Sequence, residues 1–265
     1  MTLAGPGSTV RAPAWKETGA ATVGLGDDGA QAMTSELNAR IEREGFAILP
    51  HGISTETVEA LLQALHPVSA GATPQRRGGV RNLLEDVPAV RELARAAPVR
   101  EAAEAVLGSH CFAVRGLLFD KTPDANWKVL WHQDLTIAVR ERCDVPGFGS
   151  WSEKAGVPCV QPPTEVLEDM VAVRVHLDDC GEDNGPVRIL AGSHREGRLS
   201  AALIPSWLER TEPQDCVVPR GGLLVMRPLL LHASSPARVP AHRRVIHLEF
   251  ATRALPGGLE WHARA

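Results

Sequence analysis

Apolar positions follow a helical rhythm in the first part of the chain and run continuously in the second. Leu37, Ile41 and Phe46 give a sparse apolar face to a helix beginning near Thr34 or Ser35, and Gly45 is its stop signal. Phe46 to Leu49 reads as a short strand ended by Pro50. Ser54 or Thr55 caps a second helix, Glu56 sits in its first turn, and Val58, Leu61, Leu62 and Leu65 supply the buried stripe. Pro67 is expected to end it. Residues 70–82 are rich in Gly and Arg and read as an exposed loop that offers Arg76 and Arg77 to an anionic substrate group. Helical patterning returns from Pro88 to Leu107, with Pro98 splitting it and Gly108 closing it.

The pattern then changes. Strands are expected at Cys111–Phe119, Val129–Val139, Val171–Leu177, Val187–Leu190, Asp215–Val218, Gly222–Leu231 and Val245–Ala251. Asn184-Gly185-Pro186 and Pro219-Arg220-Gly221 mark turns. A short helix fits around Trp207 and Leu208. The stretch 141–163, dense in Pro and Gly, reads as an irregular, lid-like insert over the mouth of a site. Helices first and strands after argue for an antiparallel barrel or sandwich with a helical cover, against alternating βαβ units. The expected plan is a flexible leader (1–33), one domain (34–255) and a poorly ordered tail (256–265). The domain comprises a helical cover (34–108) and a β core (109–252).

Composition narrows the function. The 265 residues are 44% hydrophobic and 23% charged, with a formal net charge of -4, which fits a globular chain rather than a disordered one. Without a basic excess, no nucleic-acid partner is expected. No apolar run is long enough to span a bilayer, and the first residues lack the apolar core of a signal peptide, so no membrane partner and a cytoplasmic location are expected. The five cysteines form no CxxC pair and read as reduced thiols. There is no tyrosine, which removes any tyrosine-based chemistry. Neither GxGxxG nor GxxxxGK[ST] is present, so a nucleotide-cradling loop is unsupported.

The chemistry concentrates at Trp131-His132-Gln133-Asp134. In a strand, His132 and Asp134 project to one side and Gln133 to the other, so an imidazole and a carboxylate can share a metal while Gln133 makes a structural hydrogen bond. A third ligand from a distant strand would complete two histidines and one carboxylate, the set that leaves open positions on Fe(II) for oxygen chemistry. His232 is one candidate for it. His176, His194, His242 and His247 are others, and His176 shares strand parity with Arg174.

Five segments in order, EREGFAILPHGIS, NWKVLWHQD, HLDDCGEDNGPVRILAGSH, RGGLLVMRPLLLHASSP and HRRVIHLEFA, resemble the phytanoyl-CoA dioxygenase-like (PhyH) family of Fe(II)/2-oxoglutarate-dependent oxygenases, from about Glu42 to Thr252. The resemblance implies a mainly β fold with N-terminal helices, a jelly-roll or cupin-like double-stranded β-helix. It implies His132, Asp134 and His232 as the catalytic metal ligands. Arg243 would grip the far carboxylate of 2-oxoglutarate, with Ser234 assisting. The cofactors implied are Fe(II), 2-oxoglutarate and O2. The activity implied is oxidation, first of all hydroxylation, of a small organic molecule with release of succinate and CO2. Halogenation is disfavoured because Asp134 supplies the carboxylate that related halogenases lack.

Beside these, Lys128 shares parity with the HxD pair and is a candidate for a bound carboxylate. Trp131, Phe148, Trp151, Arg174 and Arg188 are candidates for substrate contact, with Phe148 and Trp151 as an apolar lid. A monomer or homodimer is expected. Two rival readings remain: a non-catalytic cupin-like sensor or scaffold that binds a small ligand or metal, and a metal oxygenase or isomerase that needs no 2-oxoglutarate. Arg243 discriminates against the second, because such an enzyme has no use for a carboxylate clamp.

Overall fold

A computed structural model describes residues 27–70 and 79–265. The leader expected over 1–33 falls largely outside these, as do Arg76 and Arg77. Among the described residues five helices come first: α1 (Asp27–Glu44), α2 (Thr55–Ala70), α3 (Leu83–Asp86), α4 (Pro88–Arg95) and α5 (Ala97–Leu107), with strand β1 (Phe46–Leu49) between the first two. Then follow β2 (Phe112–Lys121), β3 (Val129–His132), β4 (Ile137–Ala138), β5 (Gly149–Lys154), β6 (Val157–Gln161), helix α6 (Thr164–Glu168), β7 (Met170–His176) and β8 (Val187–Ile189). Helix α7 (Ile204–Arg210) and strands β9 (Gln214–Cys216), β10 (Leu223–Met226), β11 (His232–Ser234) and β12 (Arg243–Ala251) complete the chain.

The expected jelly-roll or cupin-like double-stranded β-helix is corrected by the strand pairing. Among the described residues the fold is mixed α and β, with three separate antiparallel sheets in the orders β1-β10-β7-β12-β2, β3-β11-β8-β9 and β4-β6-β5, none closed into a barrel. Two expected strands break to allow this. The run Gly222–Leu231 pairs only as far as Met226, after which the turn at Arg227–Leu231 carries the chain into another sheet, where His232 begins β11. Val129–Val139 divides into β3 and β4, again in different sheets.

Side-chain alternation decides what each face of the five-stranded sheet meets. Val171, Val173 and Val175 of β7, with Ile246 and Leu248 of β12, pack against helix residues such as Ile41, Leu65, Val90 and Val99. The opposite face carries Ala172, Leu224 and Met226 against Val187 and Ile189 of the four-stranded sheet. Beyond that apolar patch the same face turns polar: Arg174 of β7, Arg243, His247 and Glu249 of β12, and Arg115 of β2 all line one cavity. Strand β2 skips one register position at Val114, between the pairs Glu249–Arg115 and Phe250–Ala113. This bulge returns Ala113 to the helix-facing core while Arg115, Leu117 and Phe119 face the cavity.

Other boundaries agree or move for identifiable reasons. Gly45 ends α1 at φ +86°, its N–H donating to the Ile41 carbonyl. Helix α2 continues through Pro67 to Ala70. The next helical run does split here: Ala96 takes an extended ψ of 138° as the cap of α5, and Pro98 sits in the first turn of that helix, where its missing N–H costs nothing. The insert 141–163 is not irregular: β5 and β6 form a hairpin within the three-stranded sheet. The segment expected as a loose tail is packed, with Leu259, Trp261 and Ala263 buried and Ala265 paired to Ala113. Among the described residues no helix is long and apolar enough to cross a membrane.

Candidate metal centre

His132 ends β3 and His232 opens β11, and the two are register partners in one antiparallel pair. Their rings lie 4.2 Å apart between centroids. Asp134 sits two residues beyond β3, held by its N–H to the Pro228 carbonyl. Its two carboxylate oxygens are 3.8 Å from His132 Nε2 and 3.7 Å from His232 Nε2. The three donor atoms lie within 4.8 Å of one another. Gln133 points the other way, donating to the carbonyls of Gly197 and Leu229 and accepting from Leu199 N–H, and so clamps the strand end.

The imidazoles are oriented for a metal. His132 Nδ1 is 2.8 Å from the Leu130 carbonyl and His232 Nδ1 is 2.9 Å from the Leu230 carbonyl. A carbonyl only accepts, so each Nδ1 carries a proton and each Nε2 is left to face Asp134. Burial pushes the His232 imidazolium down to about 4, so it is neutral at neutral pH. Burial raises the Asp134 carboxyl, but the surrounding His232, His247, His132 and Arg174 outweigh it and hold the group below the usual carboxylate range. The neutral His232 nitrogen and the ionised Asp134 carboxylate therefore face each other with His132 Nε2 beside them, a set of three donor atoms.

The donors open on a cavity of about 220 Å³. At one end lies Arg243, 3% exposed, whose Nη1 donates to the Gly185 carbonyl and, at 3.4 Å, to Ser234 Oγ. Lys121, its register partner on β2, is 1% exposed and donates to Ser234 Oγ at 2.7 Å and to the Ser235 carbonyl. Arg174 is also buried, beneath the Phe119 ring and 3.1 Å from His247 Nδ1. None of these three cations meets a carboxylate among the described residues, and the Nε atoms of Arg174 and Arg243 are buried without a hydrogen-bond partner. Buried cations left this way need an anion. His247 passes the network on, its Nε2 lying 3.4 Å from Glu249, which pairs with Arg115 at 3.2 Å.

Burial first, and then the Arg243 guanidinium, push the Lys121 ammonium down to about 7; Arg174 adds to this and Cys180 opposes it. The unfolded chain holds that proton up to about 10.5, so between these values it binds more protons than the folded chain and stability rises with pH. Urea unfolding at pH 6.5 and 9 is expected to show wild type gaining on Lys121→Met over this range. A constant difference would mean that the ammonium is paired. Gly185 is a second test. At φ +60° an added Cβ would sit 2.5 Å from the Ser235 carbonyl and 3.2 Å from Lys121 Nζ. Gly185→Ala is expected to cost on the order of 2 kcal/mol, read from denaturant midpoints, and to disturb the Arg243 end.

Of the residues singled out in the sequence, His132, Asp134, His232, Ser234, Arg243 and Arg174 come together here. Lys128 does not: it is exposed and outside the cavity, and Lys121 occupies the neighbourhood proposed for it. Trp131 packs with Leu190, Trp207 and Leu231. Phe148 and Trp151 pack on the Val139–Trp261 cluster rather than over the cavity, with Arg142 stacked on Trp151. Arg188 faces outward to Asp215 at 3.0 Å. Sequence reasoning missed Arg115, Lys121 and Glu249, and weighed His247 only as an alternative metal ligand. For His247 and Glu249 the signal lay in β12, where they share parity with Arg243 while the alternate positions from Ile246 onward are apolar.

Two histidines and one carboxylate facing a cavity form the donor set of mononuclear non-haem iron oxygenases. The phytanoyl-CoA dioxygenase (PhyH) family model matches residues 41–245, and the chain belongs to this family of Fe(II)/2-oxoglutarate oxygenases. A curated relative, the ectoine dioxygenase of Bordetella bronchiseptica, is 25% identical over 179 residues, 63% of this chain and 51% of its own. The chain thus matches about half the length of that relative. Similar solved structures include EctD from S. alaskensis with bound Fe (TM-score 0.64, 18% identity, 82% of this chain and 76% of that one). Another is SnoN, described as a non-heme alpha ketoglutarate dependent epimerase from nogalamycin biosynthesis (TM-score 0.66, 17% identity, 83% and 81%). At these identities the likeness is one of fold.

Proposed function

We propose that this protein is an Fe(II)/2-oxoglutarate-dependent oxygenase that hydroxylates a small organic molecule, with release of succinate and CO2. The observation that carries this reading is one cavity with convergent His132, Asp134 and His232 donors and, at its end, a buried Arg243 that meets no carboxylate among the described residues. Iron, 2-oxoglutarate and O2 together supply oxidising power that no side chain here has. The chain's own residues bind and orient. His132 and His232 offer lone pairs fixed by their Nδ1 hydrogen bonds, and Asp134 offers a charge that offsets part of the metal's.

His132, Asp134 and His232 would hold the iron, and such a three-donor set would leave room on it for the keto-acid end of 2-oxoglutarate and for O2. Arg243 fits the other carboxylate, since its fork matches two carboxylate oxygens and its burial demands an anion. Ser234 positions that guanidinium, and Lys121 adds charge, regaining its proton as the carboxylate arrives. The polar chain Arg174, His247, Glu249 and Arg115 holds the cavity floor rigid.

Hydroxylation is favoured by the presence of Asp134. Residues from 34 onward are read as one oxygenase domain, supported by the helical cover packing directly on β7, β10 and β12. Nothing in the site favours the sensor reading or the enzyme without 2-oxoglutarate, because Arg243 would then remain buried with no anion to meet. The test is succinate formation from 2-oxoglutarate by the Fe(II)-loaded protein. Slow uncoupled turnover, absent from Asp134→Ala, is expected, and no succinate under any metal loading would overturn the reading.

A further inference from the structure

The cavity is charged unevenly. Arg81, Arg115, Lys154, Arg174 and Arg243 face it, against Asp134 and Glu249. These cations fall into two groups. Register pairing puts Lys121 beside Arg243 and Arg115 beside Glu249, six residues apart on both β2 and β12, or roughly 20 Å along the strands. The proposed co-substrate accounts for the Arg243 end only. At the other end, Arg115 is balanced by Glu249 at 3.2 Å. Arg81 and Lys154 meet no carboxylate among the described residues, and the side-chain hydrogen bond of Lys154 goes to Thr136 Oγ1 at 3.1 Å.

Both cations stand on fixed backbone. Val80 exchanges N–H···O bonds of 2.9 and 2.8 Å with Leu118 of β2, which holds Arg81 against the sheet. Lys154 ends β5 at the tip of the hairpin, where Ala155 (φ 54°) and Gly156 (φ 77°) make a two-residue turn with both central residues left-handed. Asn82 Nδ2 donates to the Ala155 carbonyl at 3.5 Å and ties the two segments together. Burial, followed by the Arg115 charge, disfavours the ammonium of Lys154 and the guanidinium of Arg81 alike. Two half-buried cations side by side without an acid are destabilising until an anion joins them.

The geometry points to an oxyanion subsite: Arg81 and Lys154 bind an acidic group of the organic substrate, a carboxylate or phosphate, and the substrate is a small organic acid. This inference rests on the oxygenase reading for the word substrate, though the subsite is tested without it. Thr136, which accepts from Lys154 and whose carbonyl accepts from Arg115 at 3.3 Å, is two residues from Asp134, at most about 7 Å of chain. The subsite and the metal donors thus open on the same cavity.

The test uses the full chain and three matched probes, benzoate, phenyl phosphate and benzamide, titrated by ligand-observed NMR with and without saturating 2-oxoglutarate. At least one anion is expected to bind about tenfold or more tightly than benzamide. That preference should be lost in Arg81→Gln/Lys154→Gln and return in the charge-keeping Arg81→Lys/Lys154→Arg. The tighter anion identifies the acidic group. Equal binding of all three probes, or a preference retained in the glutamine variant, overturns the subsite. A separate 2-oxoglutarate titration of wild type decides the oxygenase reading, so that reading can fail while the anion preference stands, and the reverse.

Discussion

In His232→Ala, affinity for Fe(II) is expected to fall by about 100-fold or more, and succinate formation with it. Losing a residue that merely orients a metal ligand already costs roughly 10–100-fold; His232 is itself a proposed ligand. It is buried, neutral and aimed, so little reorganisation offsets its loss. Anaerobic equilibrium dialysis reads the effect, and circular dichroism checks that the variant folds. His194→Ala is the matched control. His194 Nε2 lies 3.2 Å from the Glu42 carbonyl, away from the cavity, and its loss should leave iron affinity within a few-fold of wild type. Equal losses in the two variants would remove His232 from the metal.

The second large effect belongs to Arg243. In Arg243→Met, 2-oxoglutarate affinity is expected to drop on the order of 100-fold or more, because truncating one partner of a buried charge pair costs about 2–5 kcal/mol. Iron affinity should persist, since Arg243 is a register partner of Lys121 rather than a neighbour of the metal donors. Calorimetric titration of the metal-loaded variant makes the measurement. Arg243→Lys should recover little, because a lysine cannot form the two parallel bonds of a guanidinium fork. Intact 2-oxoglutarate binding in the methionine variant would assign the clamp elsewhere, with Arg174 next in line.

Much of the candidate site was legible because it is local. Parity alone separates His132 and Asp134 from Gln133, and the structure gives Gln133 three hydrogen bonds on the far side. His232, by contrast, was fixed by resemblance: among ten histidines, strand patterning does not choose it. His247 lines the same cavity, yet its Nδ1 is spent on Arg174. The closed barrel was misread because apolar runs show that a segment is buried and not which sheet it joins. Gly222–Leu231 is apolar on both sides of the turn at Arg227 and Pro228, and only tertiary pairing breaks it.

Of the candidates for substrate contact, Arg174 lines the cavity while Trp131, Phe148, Trp151 and Arg188 lie away from it, and the reason is related. Phe148, Trp151 and Trp131 are large apolar side chains near the site in sequence, and such residues are more often packed than presented to a ligand. Lys128 and Lys121 show how parity without register misleads. Both lie near the metal segment, but Lys121 alone is paired across from Arg243. The partnerless cations of the cavity could not be read from the sequence at all, because the lack of an acid neighbour is a property of the assembled sheets.

The most direct test of the account is an anaerobic titration of the protein with Fe(II) and then 2-oxoglutarate, following the visible metal-to-ligand charge-transfer band. A band is expected that saturates near one equivalent of each, is absent in His132→Ala, and in Arg243→Met appears only at much higher 2-oxoglutarate. Iron binding without any such band in the wild-type protein would contradict it.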